Sequence, residues 1–306
     1  MLRRLGDVPL LTLALTLGFL FGHYLAKFSG LTLRRAQKFD AEGHFIDDLF
    51  YKIRIFCWVA TYEQHHKTRD YAISETWGRH CNRIIYVSNT TDKNLEIVIL
   101  DEKRENWNNL WFKTREAFKW IYANVLDQYD WFAKADDDTF YHMANLRHYL
   151  KDYSPNEAIA AGHLFEENNI TNSRYHSGGA GYVLSRRAVK IMVKEWEKKF
   201  LDAEECQTRH FAEDVFVGKC LQKLNATLLN TADNEGRYRF MPLAMYHIME
   251  EMPSWINENS VQKIMNPSKC CSPDFIGMNY ATPELEFFMY YATYILRPFG
   301  VQYTSR

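Results

Sequence analysis

The sequence contains no C-x-x-C pair, which removes the usual ligand spacing of a structural zinc site. It has no excess of either charge. The 37 Lys and Arg stand against 38 Asp and Glu, a net charge of −1, so no basic face is indicated and no nucleic-acid partner is expected. Internal repeats and low-complexity tracts are also missing, so neither a repeat architecture nor a disordered linker organises the chain. What is there is a chain of 306 residues, 47% hydrophobic and 25% charged, enough for one large domain with a substantial core or two small ones. Aromatics are plentiful, with 8 Trp, 19 Tyr and 20 Phe. Such rings serve cores first, and their flat apolar faces also suit sugar rings.

One apolar run stands out. Val8 to Ala26 is polar only at Thr12, Thr16 and His23, about the ~20 residues a helix needs to cross a bilayer. The run is long for a cleaved signal peptide and no small-x-small site follows it, so it reads as an uncleaved signal-anchor. Arg3 and Arg4 on one side compete with Lys27, Arg34, Arg35 and Lys38 on the other, so flanking charge does not orient it. Three N-x-S/T sequons, at Asn89, Asn169 and Asn225, and six locally grouped cysteines place the bulk of the chain in the lumen. Cys57 with Cys81 and Cys206 with Cys220 suggest two local bridges. The adjacent Cys270 and Cys271 form either a vicinal bridge or two separate thiols. The expected organisation is a cytosolic tail over 1–7, a transmembrane signal-anchor over 8–26, a stem over 27–51 and a lumenal domain over 52–306. That is a single-pass type II membrane protein.

From Ile53 onward, apolar β-rich runs alternate with amphipathic stretches. Strands are expected at Ile53 to Thr61, Arg83 to Asn89, Glu96 to Leu100, Trp131 to Ala135 and Ala158 to Gly162. Helices are expected up to about Trp77, from Asn108 to Leu126, near Asn145 to Tyr153 and from Arg186 to Phe200. This alternation predicts an α/β fold, a sheet with helices on its faces.

The strand ending at Ala135 runs straight into Asp136-Asp137-Asp138. Three like charges at a strand end repel unless a cation neutralises them. A divalent ion with oxygen ligands, Mn²⁺ or alternatively Mg²⁺, resolves that cost and bridges nucleotide phosphates. The carboxyl end of a strand is also where open α/β sheets bind ligands. A solvated acidic turn is the plain alternative. A second acidic pair, Glu213-Asp214, opens a helix, where the dipole favours carboxylates whether or not they do chemistry. Between these motifs lies Ser177-Gly178-Gly179-Ala180-Gly181-Tyr182, a tight turn into a strand.

The string Trp131-Phe132-Ala133-Lys134-Ala135-Asp136-Asp137-Asp138-Thr139 resembles the D-x-D region of glycosyltransferases with the GT-A fold. Glu213-Asp214-Val215-Phe216-Val217-Gly218 is similar to the signature of the β-1,3-galactosyltransferase and fringe-like family. The resemblance narrows to core 1 β-1,3-galactosyltransferases on further strings between Ile53 and Gly300. These are Cys57-Trp58-Val59-Ala60-Thr61, Glu75-Thr76-Trp77, the glycine segment, Cys270-Cys271-Ser272 and Leu296-Arg297-Pro298-Phe299-Gly300.

The resemblance implies a GT-A domain that transfers galactose from UDP-galactose, with inversion, to the 3-hydroxyl of GalNAc on glycoprotein Ser or Thr. It implies Asp136, Asp138 and His247 as metal ligands, and Asp136, Asp137, Thr61 and Lys134 at the donor. Asp214 is implied as general base with Glu213 as second choice, and Gly179, Tyr182 and Trp255 beside the acceptor. A Golgi location, with the endoplasmic reticulum as alternative, and a homodimer are implied in the same way. Two places depart from the family pattern: a single His247 follows Phe240-Met241-Pro242 where paired histidines are usual, and Asn279 replaces histidine in Met278-Asn279-Tyr280. Asparagine there also resembles a chaperone paralogue that helps the galactosyltransferase fold. That paralogue lacks the acidic triplet, so the triplet here favours an enzyme over a lumenal chaperone or inactive scaffold.

Overall fold

The computed structural model describes residues 49–99, 110–167, 173–198, 206, 212–264 and 266–296. All belong to one compact unit that begins at Leu49, three residues before the expected boundary. Residues 8–26, Asn169 and the 297–300 part of the C-terminal string lie outside the described residues. Among the described residues, no helix is long and apolar enough to cross a membrane.

The strands are β1 (Ile55–Ala60), β2 (Arg83–Ser88), β3 (Ile97–Ile99), β4 (Trp131–Asp136), β5 (Phe140–Tyr141), β6 (Ile159–Gly162), β7 (Leu164–Glu167), β8 (Ser173–His176), β9 (Tyr182–Ser185), β10 (Thr227–Asn230), β11 (Phe240–Met241) and β12 (Gly277–Met278). Seven of them form a sheet in the order β10-β6-β9-β4-β1-β2-β3. All pairings are parallel except those of β9, which runs against both β4 and β6.

The helices used below are α1 (Tyr71–Glu75), α2 (Leu110–Asn124), α3 (Met143–Leu150), α4 (Arg186–Trp196), α5 (Glu213–Lys223), α6 (Met245–Glu250), α7 (Ser254–Asn259) and α8 (Pro283–Tyr290). Strand alternation sorts the core into two layers. Ile55, Cys57 and Val59 of β1, with Trp131, Ala133 and Ala135 of β4, face Ile73, Trp77, Met143, Leu146 and Tyr290. Phe56 and Trp58, with Phe132, face Trp111, Phe118 and Ile121 of α2 and Val189, Met192 and Val193 of α4. A sheet buried on both faces explains why β1 is apolar at every position, all six being buried.

The expected α/β sheet is present, with helices against both of its faces. One expected helix is not continuous. The segment up to Trp77 is broken into a 3₁₀ turn at Glu63–His65, a wide turn at His66–Asp70, the short α1 and a 3₁₀ turn at Trp77–His80. Thr76 ends α1 by turning its hydroxyl back onto the Ala72 carbonyl at 2.7 Å and leaving helical geometry. Disulfides join Cys57 to Cys81, Cys206 to Cys220 and Cys270 to Cys271.

A three-stranded sheet, β11-β12-β5, lies beyond β4. Its strands have two residues each, too short for any periodicity to announce them. They matter because β5 follows the acidic triplet directly, and β12 brings residues 277–281 back to it.

Candidate active site

The register Ala60↔Asp136 sets the carboxyl ends of β1 and β4 side by side. The chain turns after Asp136, with the Thr139 amide donating to the Asp136 carbonyl at 3.1 Å. The Thr139 hydroxyl accepts from the Asp136 amide at 3.0 Å and donates to the Gly179 carbonyl at 2.8 Å. The triplet is thereby tied to the glycine segment. Gly181 adopts φ +76 there, and a Cβ would collide with the Tyr141 hydroxyl, so this turn requires glycine.

The three carboxylates are not equivalent. Asp137 is buried and engaged: Arg69 Nη1 lies at 2.7 Å, His65 Nδ1 at 2.6 Å, and the Thr61 hydroxyl donates at 3.2 Å. Asp136 and Asp138 keep more of their side chains exposed, 34% and 21%. Burial, followed by the charges of Asp136 and Asp137, pushes the Asp138 carboxyl up to about 6, against the pull of Arg69 and Lys134.

Lys134 points the opposite way from a surface lysine. Its side chain is only 2% exposed, and Nζ sits 2.7 Å from Asp136 Oδ1 and 3.1 Å from Glu213 Oε1. It also donates to the Gly178 carbonyl at 3.2 Å. Burial alone would lower its pKa, but the two carboxylates outweigh that and raise it. One buried cation therefore joins the triplet, the glycine segment and the acidic helix.

At the start of α5, Glu213 is buried and Asp214 is partly exposed. Glu213 accepts from the Tyr182 hydroxyl at 3.0 Å, and burial pushes its carboxyl up to about 7 despite Lys134. Asp214 accepts from the Gly178 amide at 2.8 Å and the Val215 amide at 2.9 Å. Burial raises its pKa while those two amides hold it down. Of the two, Asp214 has the surface access that a base for an incoming hydroxyl needs.

The residues expected at the site divide as follows. Lys134, Asp136, Gly179, Tyr182, Glu213 and Asp214 are joined through the bonds above, while Thr61 and Asp137 form a second group with Arg69, whose guanidinium also lies 3.6 Å from Asp138. Tyr182 is 1% exposed, its ring packed toward Phe118, so it acts by holding Glu213 and offers no face to a ligand. Gly179 is half-buried, and a Cβ on it would run into the Asn279 amide.

His247 joins none of the bonds described above. It is exposed on α6 with its ring against Tyr246 at 4.1 Å. Among the described residues, no three His, Cys, Asp or Glu side chains converge as a metal-holding group. Trp255 on α7 packs toward Phe165 at 6.0 Å, beside β7. The sequons at Asn89 and Asn225 lie at the end of β2 and just after α5.

Sequence reasoning missed Arg69, His65 and Asp70. Asp70 accepts from the Thr61 hydroxyl at 2.7 Å and is pushed up to about 7, chiefly by burial. The available signal was position: all three lie just beyond the carboxyl end of β1, where the open-sheet rule places ligand-facing residues.

An open sheet that gathers two acidic motifs around a glycine turn is an arrangement a sugar-transferring enzyme can use. The chain belongs to the Fringe-like family, whose model matches residues 51–234. It is 31% identical over 318 residues, 96% of this chain and 86% of the relative, to glycoprotein-N-acetylgalactosamine 3-beta-galactosyltransferase 1 of Xenopus laevis. That similarity bears out the resemblance to the core 1 β-1,3-galactosyltransferase family. Shorter stretches match other β-linking enzymes and a synthase. N-acetyllactosaminide beta-1,3-N-acetylglucosaminyltransferase 4 of Mus musculus is 29% identical over 145 residues, 42% of this chain and 39% of that one. Chondroitin sulfate synthase 3 of Homo sapiens is 26% identical over 123 residues, 38% of this chain and 13% of that one. The activity these relationships support is that of a β-1,3-glycosyltransferase.

Proposed function

We propose that the protein transfers galactose from UDP-galactose, with inversion, to the 3-hydroxyl of GalNAc linked to Ser or Thr of glycoproteins. The donor and acceptor are those in keeping with the name of the Xenopus relative, which aligns over 96% of the chain. The observation that carries the reading is the glycine segment. Through Thr139 and Lys134 it is bonded to the triplet, and through the Gly178 amide to Asp214, so one rigid turn fixes the spacing of both acidic motifs.

Asp136 and Asp138 fit a hard divalent cation. They offer only oxygen donors, and after burial it is the neighbouring charges of Asp136 and Asp137 that raise the Asp138 pKa. Two carboxylates completed by diphosphate oxygens and water are a usual Mg²⁺ or Mn²⁺ arrangement. Mn²⁺ bound there would neutralise the departing UDP. Asp214 takes the proton from the acceptor hydroxyl as that oxygen attacks the anomeric carbon. Glu213, fixed by Lys134 and Tyr182, holds the start of α5 in place for that transfer. The protein works as a type II protein of the Golgi lumen, anchored through 8–26.

The test incubates the detergent-solubilised full chain with UDP-galactose, Mn²⁺ and a GalNAc-serine peptide. Galactosylated product is expected, and its absence from folded protein refutes the reading. A panel of UDP-sugars identifies a different donor. Calorimetry with UDP and Mn²⁺ separates enzyme from scaffold: binding is expected in the wild type and lost in Asp138→Asn. No binding in either would favour a lumenal chaperone instead.

A further inference from the structure

The turn at His66–Asp70, the start of α1 and the loop from β2 to β3 flank a cleft of about 210 Å³, lined by His66, Lys67, Tyr71, Asp92, Asn94 and Leu95. None of the six takes part in the bonds around the two acidic motifs. The chain itself still couples the cleft to the triplet. His65 Nδ1 and Arg69 Nη1 reach Asp137 at 2.6 and 2.7 Å, and between them in sequence His66 and Lys67 line the cleft.

The walls are fixed, while most of their polar groups are unspent. His66 is buried, with Nε2 3.0 Å from the Ser88 hydroxyl, which holds the turn against the end of β2. Asp92 Oδ1 accepts from the Asn94 amide at 2.8 Å and closes the loop. Among the described residues, the other Asp92 oxygen, the Asn94 side-chain amide, the Lys67 ammonium and the Tyr71 hydroxyl have no protein partner. The Tyr71 ring is 52% exposed.

Opposite charges on Lys67 and Asp92 leave the cleft no net pull on a phosphate, which clustered cations would supply. Its volume lies below the roughly 300–1,000 Å³ of sites for drug-sized ligands, which excludes a nucleotide and leaves room for one small ring. A pyranose supplies what the walls lack. Its hydroxyls suit Asp92, Asn94 and Lys67, and its C–H face suits the apolar surface of Tyr71 and Leu95.

We propose that this cleft is a second saccharide subsite, holding one GalNAc of a multiply glycosylated acceptor while another GalNAc of the same peptide lies at the catalytic carboxylates. The inference rests on the glycosyltransferase reading for the identity of the sugar. Two sugars on one peptide bind as linked ligands, so occupancy of the cleft raises the effective concentration of the reacting sugar. The enzyme then favours densely glycosylated peptides over isolated sites.

The test measures acceptor KM, counted per GalNAc, for peptides carrying one GalNAc or two at a series of spacings. It compares the full chain with a variant carrying Tyr71→Ala and Asn94→Ala together, which should melt like the wild type because both side chains are exposed. At the best spacing the doubly glycosylated peptide is expected to show a KM about tenfold below that of the single one in the wild type. The variant should lose that advantage and keep the single-GalNAc KM. No advantage in the wild type, or one that survives in the variant, overturns the proposal. Thr91→Ala removes the Asn89 sequon at the start of the same loop. An advantage seen only in that protein would place the chain's own glycan in the cleft, and overturns the proposal as well. Saturation-transfer NMR with free N-acetylgalactosamine needs no turnover. A contact that weakens in the double variant upholds a saccharide subsite whatever reaction the enzyme proves to catalyse. Equal contacts in both proteins, or none in the wild type, overturn it.

Discussion

Replacing Lys134 with methionine would test how the two acidic motifs are held together. The ammonium is 2.7 Å from Asp136 and 3.1 Å from Glu213, in a side chain only 2% exposed. Methionine fills most of the same volume and removes the charge. Asp136 keeps some solvent, with 34% of its side chain exposed, but Glu213, at 6%, is left buried without a counter-charge. Removing one partner of a buried pair costs about 3–5 kcal/mol. For a domain of this size each kcal/mol is worth about 2–4 °C, so a fall of roughly 6–20 °C in Tm is expected.

The pH dependence follows from the sign of the Glu213 shift. Its folded pKa is already raised, to about 7, above the usual 4.5. A carboxyl shifted in that direction is best tolerated protonated, and its burden appears as pH rises from 4.5 through the folded value. Loss of Lys134 raises the folded value further, so the deficit of Lys134→Met should be small at pH 5 and grow as pH rises above about 7, reaching its full size only above the variant's own folded value. Adding Glu213→Gln should recover most of the stability at pH 8, because no buried charge then remains unpaired. Calorimetric unfolding of the four proteins of this cycle at both pH values measures it. A deficit under about 1 kcal/mol, or no recovery in the double variant, would refute the reasoning.

Gly179→Ala should cost about 1–3 kcal/mol in urea unfolding, because its Cβ meets the Asn279 amide. Asn279→Ala in the same chain should return part of that, and strictly additive costs would argue against the contact. His163 is buried, with Nδ1 3.0 Å from the Phe240 carbonyl and Nε2 2.8 Å from the Ser260 hydroxyl, and burial lowers its pKa to about 3. The unfolded state takes up the proton first, so stability from this group is lost as pH falls below about 6.5, by about 2 kcal/mol at pH 5. Compared with His163→Gln, which cannot titrate there, the wild-type advantage should shrink by that amount between pH 7 and pH 5. A constant difference would show that His163 is not held neutral.

Much of the sheet was legible because its strands and helices are long enough to carry a period. β1, β4 and β6 read as apolar runs, and Ala117 and Ile121 of α2 show the helical spacing that buries them. The segment up to about Trp77 was read as one helix because Thr76 ends α1 through a hydroxyl bond that no periodicity reveals. The two acidic motifs and the glycine turn were also legible. Their division of labour was not, since it depends on partners far away in sequence: Arg69 for Asp137 and Lys134 for Glu213.

The sequence by itself determined the α/β alternation, the acidic triplet at a strand end and the family, because each is written in local runs of side-chain type. Only the tertiary structure decided which carboxylates keep access to solvent, that Lys134 is a buried counter-charge, and that β12 returns to the residues after the triplet. Burial and neighbouring charge set those properties, and both arise when distant strands such as β5 and β12 pair.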